Sequence, residues 1–349
     1  MKSGNVWISR PLKHVLSRAL VASGVAAVWY HAVTVRRPQF RVLGYHSVTA
    51  EPAPSGTIER SLGVPVEQFA RQMAFLRARF TPVHLEEFAD YARDPRRYVR
   101  PPIAVTFDDG YRDNVRMALP ILEKFGIPAT IFVTTGHVGK KAPFWWNALS
   151  AWVWNAPPGR YRFSLHGEEH LFACASRKQR RQTFWHLFAD LCAMEESERP
   201  LVLSHIGTVL GANSLAVDVG PEMLSAEEIA GTKSPLLRFG AHTVHHVVLT
   251  KVPPDRRRWE VEESVAHLQR WTRREVSSFA YPLGDAASVD ESVQRVVAEA
   301  GIGCAVTTLK GANSPGQNPL ALRRTLIDGG DDFFVFVCKA LGLFDPSIR

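Results

Sequence analysis

The sequence predicts an α/β fold in which about seven parallel strands form a distorted (β/α) barrel that carries a helical insertion. From residue 41 onward, short apolar runs alternate with amphipathic helical stretches, which is the pattern of strands joined by crossover helices. A chain of 349 residues fits one large barrel or two domains, and the number of predicted strands favours the barrel. With 46% hydrophobic and 22% charged residues, the composition excludes a disordered or collagen-like chain.

Seven apolar segments are predicted as the strands of this barrel. Each is short, and most end at a polar or turn-forming residue, as buried parallel strands do. The segments are 41–45, 103–107, 129–133, 236–239, 277–281, 304–307 and 322–327.

Five stretches between and after these strands have apolar residues at helical spacing. In the first, Phe69, Met73 and Leu76 recur at intervals of three or four residues, as on one face of a helix. Gly126 and Gly301 follow two of the stretches, at positions where glycine commonly ends a helix. The predicted helices are 66–79, 114–125, 254–271, 289–300 and 333–343.

The region of about 140–221 interrupts this alternation. It contains a predicted hairpin around Tyr161–Leu171, with His166 and Gly167 in the turn, followed by helical stretches at 177–196 and 200–210. We interpret the region as an insertion or cap on the barrel rather than an independent domain. The resulting organisation is an N-terminal segment at 1–40 and a barrel at 41–349 that contains the insertion.

The N-terminal segment combines basic residues with an apolar stretch at 19–30. It lacks a convincing signal-peptide cleavage site, and the apolar stretch is too short to span a bilayer. Apolar residues at helical spacing around Val15 predict an amphipathic helix that packs on the barrel or rests on a membrane. We expect a cytoplasmic protein or one on the cytoplasmic face of the membrane; an uncleaved signal-anchor, which would place it in the periplasm, is the alternative.

The formal net charge of +8 suits an anionic partner such as a membrane surface or an acidic polymer. The basic residues occur in short, scattered groups without a nucleic-acid-binding motif, so we expect no nucleic-acid partner. The four cysteines are widely spaced and include no Cys-x-x-Cys, which predicts free thiols in a reducing compartment.

The first cluster of residues that could bind a ligand or take part in catalysis is Thr106–Tyr111. Asp108 and Asp109 directly follow a predicted strand, where the active-site loops of parallel α/β folds lie. Neighbouring side chains at a strand end diverge, so one carboxylate can bind a metal while the other faces a substrate. Gly110 lets the backbone turn tightly beside them. A simple turn before a helix is the other interpretation of this cluster alone.

The second cluster, 240–246, also follows a predicted strand. His242 and His246 are four residues apart, so one helical turn would place both imidazoles on the same face. Two histidines and one carboxylate form a zinc-type site with open positions for water and substrate. In that geometry His245 points elsewhere.

The third cluster, 278–285, is a strand that ends in Pro282-Leu283-Gly284. Taken together and in this order, the three clusters resemble the motifs of the polysaccharide deacetylase family, carbohydrate esterase family 4. The resemblance lies in Thr106–Gly110, in the His-Thr-x-x-His of 242–246 and in the Pro-x-Gly loop, and it extends over roughly 41–343.

The resemblance implies a metal-dependent hydrolase that removes N-acetyl groups from amino sugars of a polysaccharide or its glycan precursor. It assigns a divalent metal, most often zinc, to Asp109, His242 and His246, and the role of general base to Asp108. It also implies an oxyanion-binding backbone N–H at Tyr281 or its neighbours. Candidate side chains against the sugar are Tyr111, Tyr281, Trp145 and its neighbour Trp146.

Two positions depart from the family pattern. The arginine that many members carry early in the third motif is absent from Ser278–Ala280, and no histidine follows His267 to act as the late general acid. We take His46 as the substitute acid, with Asp285 and Asp328 as alternatives. An O-acetyl or other small-amide hydrolase and a non-catalytic carbohydrate-binding barrel remain the alternative functions.

Overall fold

The computed structural model describes residues 10–36, 39–52, 57–140, 144–165, 168–195, 197–211 and 222–345. Twelve strands occur in these residues: β1 (Arg41–Tyr45), β2 (Ser47–Thr49), β3 (Gly63–Pro65), β4 (Thr81–Pro82), β5 (Pro102–Phe107), β6 (Ala129–Val133), β7 (Arg160–Leu165), β8 (Glu168–Ala173), β9 (Leu237–Ala241), β10 (Ser278–Ala280), β11 (Cys304–Val306) and β12 (Thr325–Leu326).

Thirteen α-helices lie in the same residues: α1 (Arg10–Ala22), α2 (Val25–Arg36), α3 (Ile58–Leu62), α4 (Val66–Arg79), α5 (Phe88–Arg93), α6 (Leu119–Phe125), α7 (Trp145–Asn155), α8 (Arg177–Ala193), α9 (Arg199–Val209), α10 (Ala226–Gly231), α11 (Pro254–Thr272), α12 (Glu291–Glu299) and α13 (Phe333–Leu341). Short helical turns add Leu85–Glu87, Pro95–Arg97, Asn114–Ala118, Thr135–His137, Leu249–Lys251 and Pro319–Ala321.

Eight of the strands form one parallel, strongly curled sheet. Seven follow the order β11-β10-β9-β6-β5-β1-β12, and the two-residue β4 also pairs with β5. The two edges approach each other in the last segment of the chain: Leu322 forms a parallel bridge with Val306, while Thr325 and Leu326 pair with Leu43 and Gly44 of β1. The predicted distorted barrel of about seven parallel strands is therefore confirmed.

The central strands are buried on both faces because helices cover the sheet. Every residue of β1, β5 and β6 is buried, which explains their almost continuous apolar sequences. Helix α4 has the predicted bounds and buries Phe69, Met73 and Leu76 against them. The strands are parallel and in register, so their carboxyl ends meet at one edge, where all three sequence clusters lie.

The N-terminal segment differs from the expected single helix. It breaks into α1 and α2 at Gly24, which has a φ of +77° that a side chain would strain. Both helices pack on the barrel: His14 contacts Asp332 at 2.9 Å, and the Tyr30 ring packs 5.5 Å from that of Phe80. Within the residues that the structure describes, none of the helices has the length and apolarity needed to span a bilayer.

The insertion forms a cap with its own apolar core. The predicted hairpin is present as β7 and β8, although its turn residues His166 and Gly167 lie outside the described residues. The core of the cap includes Tyr111 and Ile58 from the barrel side, so the two parts share one packed surface. All four cysteines are free thiols.

Gly136 allows two loops at the carboxyl edge to touch. Its N–H donates to the Val244 carbonyl at 2.7 Å, and a Cβ at this position would lie 2.5 Å from the same oxygen. We expect Gly136→Ala to lower the free energy of unfolding by about 1–3 kcal/mol, measured by urea denaturation, because the backbone of the second motif must shift.

Gly303→Ala is the matched control, since the nearest atom outside its neighbours would lie 3.8 Å from the new Cβ. Equal stability of the two variants would show that the contact between the loops is not tight.

Candidate active site and metal centre

The adjacent aspartates lie in a strained turn at the end of β5. The Asp108 N–H donates to the Tyr45 carbonyl at 2.9 Å, and Asp109 and Gly110 then adopt φ values of +76° and +86°. A Cβ on Gly110 would lie only 3.0 Å from a Val133 methyl group, so the tight turn needs glycine. As the sequence predicts, the turn sends the two carboxylates in different directions.

Asp109, His242 and His246 form a compact group, which we call the candidate metal triad. One possible ligand atom from each lies within 4.8 Å of the others. The Asp109 Oδ1 is 3.7 Å from the His242 Nε2 and 3.6 Å from the His246 Nε2. Two imidazole nitrogens and a carboxylate oxygen converge as in three-ligand zinc sites, so the donor set fits a divalent metal.

A hydrogen bond from the third motif orients His242. Its Nδ1 lies 2.7 Å from the Ala280 carbonyl, which can only accept, so Nδ1 carries the proton. The Nε2 lone pair is then free to face Asp109. An imidazole tautomer held from behind in this way is typical of metal-ligating histidines.

The prediction of a helical turn between His242 and His246 is wrong. These residues form a bend in which Thr243 and His246 have φ values of +61° and +57°, and this left-handed backbone brings the two rings together with centroids 4.8 Å apart. Because neither residue is glycine, the conformation is costly and needs support from neighbouring elements.

Glu260 on α11 supplies part of that support. Its fully buried carboxylate accepts the N–H groups of Val244 and His245 at 2.8 and 2.9 Å, and it also contacts the His245 imidazole and Arg256. Burial acts to raise the pKa of Glu260, but the bonds from His245 and the Arg256 charge outweigh burial and lower it. His245 therefore faces α11 and not the candidate metal triad.

The arginine that the third motif lacks comes instead from the end of the chain. Arg324, just before β12, binds both oxygens of Asp108 at 2.6 and 2.7 Å. It also donates to the Thr307 carbonyl and the Thr106 hydroxyl. No local sequence pattern predicts the role of Arg324, because it lies 216 positions from its partner Asp108.

The pKa values of the two aspartates shift in opposite directions. Burial alone would raise the pKa of Asp108, but the Arg324 guanidinium and the nearby histidines hold it well below its ordinary value. Burial and the charge of Asp108 raise the pKa of Asp109 instead. Asp108 is thus ionised and available as a base, whereas Asp109 needs a cation beside it to stay ionised.

His46 and the two alternative acids, Asp285 and Asp328, have different partners, and of the two only Asp328 is seen to act on His46. Burial lowers the pKa of His46 to about 4, while the charges of Asp108 and Asp328 raise it. Its backbone carbonyl accepts the Asn114 amide at 2.8 Å. Asp328 accepts the Gly330 N–H, and Asp285 accepts two N–H groups of its own loop, so both carboxylates also hold local turns.

The candidate sugar-binding aromatics have different environments. Tyr111 and Tyr281 are 1% exposed, and the Tyr281 hydroxyl donates to the Leu320 carbonyl, so neither ring presents an open face. Trp145 stacks on Phe188 and lines a small cavity beside His246. Trp146 also lines this cavity, with its ring centroid 4.7 Å from that of His246.

Comparison with known proteins shows which family the sequence resembles. The sequence matches the family described as polysaccharide deacetylase over residues 96–177 and 221–305. It is 32% identical over 112 residues to the YxkH protein of Bacillus subtilis, a match that covers 31% of this chain and 36% of YxkH. The chain thus spans about a third of the length of this relative. These matches confirm the resemblance of the sequence to the polysaccharide deacetylase family.

Solved structures with the same fold include two deacetylases. The Streptococcus pyogenes deacetylase PplD, in complex with acetate, superposes with a TM-score of 0.55 at 18% identity over 84% of this chain and 94% of its own. A de-N-acetylase from Aggregatibacter actinomycetemcomitans gives a TM-score of 0.52 at 13% identity over 85% and 98%. At these identities the likeness establishes the fold.

Zinc binding tests the candidate metal triad directly. We expect wild-type protein to bind one Zn²⁺ in calorimetry, and His242→Ala or Asp109→Asn to weaken binding by more than about 100-fold. Loss of a group that hydrogen-bonds to a metal ligand commonly lowers metal affinity by about 10–100-fold, and loss of the ligand itself should lower it further. Asp108→Asn should retain the metal.

His205→Ala, which removes an exposed imidazole from α9, is the control for non-specific zinc binding. Wild-type affinity in the His242 variant would mean that the metal binds elsewhere.

Proposed function

We propose that the protein is a metal-dependent hydrolase that removes N-acetyl groups from amino sugars of a polysaccharide or its glycan precursor. The observation that carries this proposal is an ionised carboxylate, Asp108, held by a buried arginine directly beside a His-His-Asp donor set. The sequence match to the polysaccharide deacetylase family and the fold shared with a de-N-acetylase support it. The fully buried ion pair also favours catalysis over sugar binding alone, which needs no base beside a metal site.

The candidate metal triad would hold the metal, which we propose to be Zn²⁺. When bound, such an ion polarises a carbonyl group and lowers the pKa of water. Asp108 accepts the proton of the attacking water, and the water oxygen forms a bond to the acetyl carbon. Arg324 keeps this carboxylate ionised and oriented before the proton arrives.

A backbone N–H donates to the carbonyl oxygen as that oxygen becomes negative. The expected donor is Tyr281 or one of its neighbours. The Tyr281 N–H already donates to the Val306 carbonyl at 3.2 Å, and Pro282 has no N–H. The next residue, Leu283, lines the small cavity beside His246. We therefore assign the donor role to the Leu283 N–H.

The amine that leaves as the carbon–nitrogen bond breaks needs a proton, and we assign this step to His46. A pKa of about 4 means that the imidazole is neutral at pH 7 and can donate only after it accepts a proton. Asp108, whose charge acts on His46, can pass on the proton taken from water. Acetate and the free amine of the sugar are then released.

We also propose that α1 and α2 rest on an anionic membrane surface, which would place the enzyme on the cytoplasmic face of the membrane. These helices expose a group of apolar side chains that we call the N-terminal apolar face: Leu12, Val15, Leu16, Val25 and Val28. Val15 and Val28 are 66% and 72% exposed. Basic residues flank these side chains, with Arg18 well exposed, which is the combination that interfacial helices use.

Acetate release measures the proposed reaction. With Zn²⁺ and an N-acetylglucosamine oligomer or capsule polysaccharide, we expect Asp108→Asn to lower kcat by about 10²–10⁴-fold, the usual contribution of a general base. Arg324→Met should lower kcat at least tenfold, since Asp108 loses its orientation, and both variants should still bind Zn²⁺.

Arg323→Met is the matched control, because this neighbouring arginine donates to the Lys310 carbonyl and does not contact Asp108. If zinc-loaded wild type releases acetate only from O-acetylated sugars, the amide substrate is wrong. If it releases no acetate from any glycan, deacetylation itself is wrong.

Vesicle flotation tests the N-terminal apolar face. We expect the triple substitution L12S/V15S/L16S to lower the bound fraction at least tenfold on vesicles of phosphatidylglycerol and phosphatidylcholine, because three apolar side chains no longer enter the interface. Leu201→Ser, at a side chain 78% exposed on α9, should bind as wild type does. Equal flotation of the triple variant and wild type would contradict membrane contact through this face.

A further inference from the structure

A groove of about 550 Å³ lies between α3 and the first turns of α8. Asp328 is one of its lining residues and lies close enough to His46 for its charge to act on the imidazole. The groove therefore lies on the side of the barrel where His46 is found, and residues of α7 and α8 in the cap form much of its lining. Its volume is in the range of pockets that hold small ligands.

One face of α8 gives the groove a basic and aromatic wall. Arg177, Arg181 and Trp185 follow at intervals of four residues, so their side chains lie on the same side of the helix. Lys178 also lines the groove, and Trp185 is 47% exposed. A sugar ring can stack on such an indole while its charged substituent reaches the basic groups.

The basic residues of this wall differ in their ion pairing from other exposed arginines of the described chain. In the described part of the chain, Arg177, Lys178 and Arg181 have no ion-pair partner, whereas the exposed Arg258 pairs with both Glu262 and Glu299. Across the groove, Arg60 adds a fourth cation whose buried Nη1 has no hydrogen-bond partner among the described residues.

Helix stability does not explain these charges. Arg177 and Lys178 occupy the first turn of α8, which contains no acidic residue. The amino end of a helix carries a partial positive charge, so cations there destabilise the helix and acids would stabilise it. The arrangement is unfavourable for the free helix, whereas a bound anion would relieve the repulsion.

We propose that this groove binds an acidic sugar, one that carries a carboxylate or phosphate, within the glycan whose acetamide group reaches Asp108. The inference rests on the proposed deacetylase function for the identity of the neighbouring site, but binding in the groove requires no hydrolysis. Such a subsite would make the enzyme selective for acidic over neutral acetylated glycans.

Calorimetric binding of unacetylated probes tests the groove independently of catalysis. Tetragalacturonate supplies carboxylates, glucose 6-phosphate supplies a phosphate, and maltotetraose is the neutral control. We expect at least one anionic probe to bind and maltotetraose not to bind. R177A/R181A should weaken that binding at least tenfold, because two charge-assisted contacts are lost. Trp185→Ala should weaken tetragalacturonate binding without creating affinity for the neutral probe.

Arg295→Ala is the matched control, since this residue is exposed on α12 and does not line the groove. The anionic probe that binds identifies the acidic group. Failure of both anionic probes, equal binding of maltotetraose, or unchanged affinity in R177A/R181A would overturn the proposal.

Acetate release adds a second readout if the proposed function holds. R177A/R181A should raise KM for an acidic acetylated polymer and leave kcat, and the rate on neutral oligomers, unchanged. An equal effect on neutral and acidic polymers would overturn the assignment of the groove as an acidic subsite. Loss of acetate release in wild type, with tetragalacturonate still bound, would instead contradict the proposed deacetylase function alone.

Discussion

The buried ion pair between Asp108 and Arg324 connects the fold of this protein to its chemistry. Asp108 follows β5, Arg324 precedes β12, and the guanidinium also binds the Thr307 carbonyl beyond β11. One side chain therefore joins the two edges of the curled sheet and a central strand. Removing one partner of a buried pair commonly costs about 3–5 kcal/mol, so barrel closure and the ionised state of Asp108 depend on the same contact.

The candidate metal triad depends on a second set of contacts around the same strand ends. The carbonyl of Ala280 sets the tautomer of His242, and the Glu260 carboxylate holds the left-handed backbone of the second motif from α11. These groups come from different crossover units of the barrel. Ligand geometry is therefore a property of the assembled sheet rather than of the His-x-x-x-His segment.

Much of this arrangement could be predicted from local sequence patterns. The continuous apolar runs of β1, β5 and β6 predict buried parallel strands, and polar clusters after such strands predict a site at their carboxyl edge. A site with two histidines and one carboxylate was expected for that reason, and the family resemblance assigned Asp109 as the carboxylate. Arg324 was not expected, because its partnership with Asp108 arises only when the sheet curls and its last strand pairs with β1.

Local conformation was harder to predict than location. The spacing of four residues between His242 and His246 suggested a helical turn. Hydrogen bonds to the Glu260 carboxylate on α11 instead support positive φ values, which non-glycine residues rarely adopt. Burial also changed the interpretation of Tyr111 and Tyr281, whose rings are enclosed by the cap and by the barrel. The net charge of +8 does not by itself identify a partner. In the structure, basic residues occur in two regions of interest, around α1 and in the groove along α8.

The most direct measurement of the central claim is anomalous diffraction at the zinc edge from crystals grown with Zn²⁺ and acetate. We expect a single strong peak between the Asp109 carboxylate and the imidazoles of His242 and His246, with acetate in the adjoining cavity near Leu283 and Asp108. A peak at other residues, or no peak at the triad in zinc-saturated protein, would contradict this expectation.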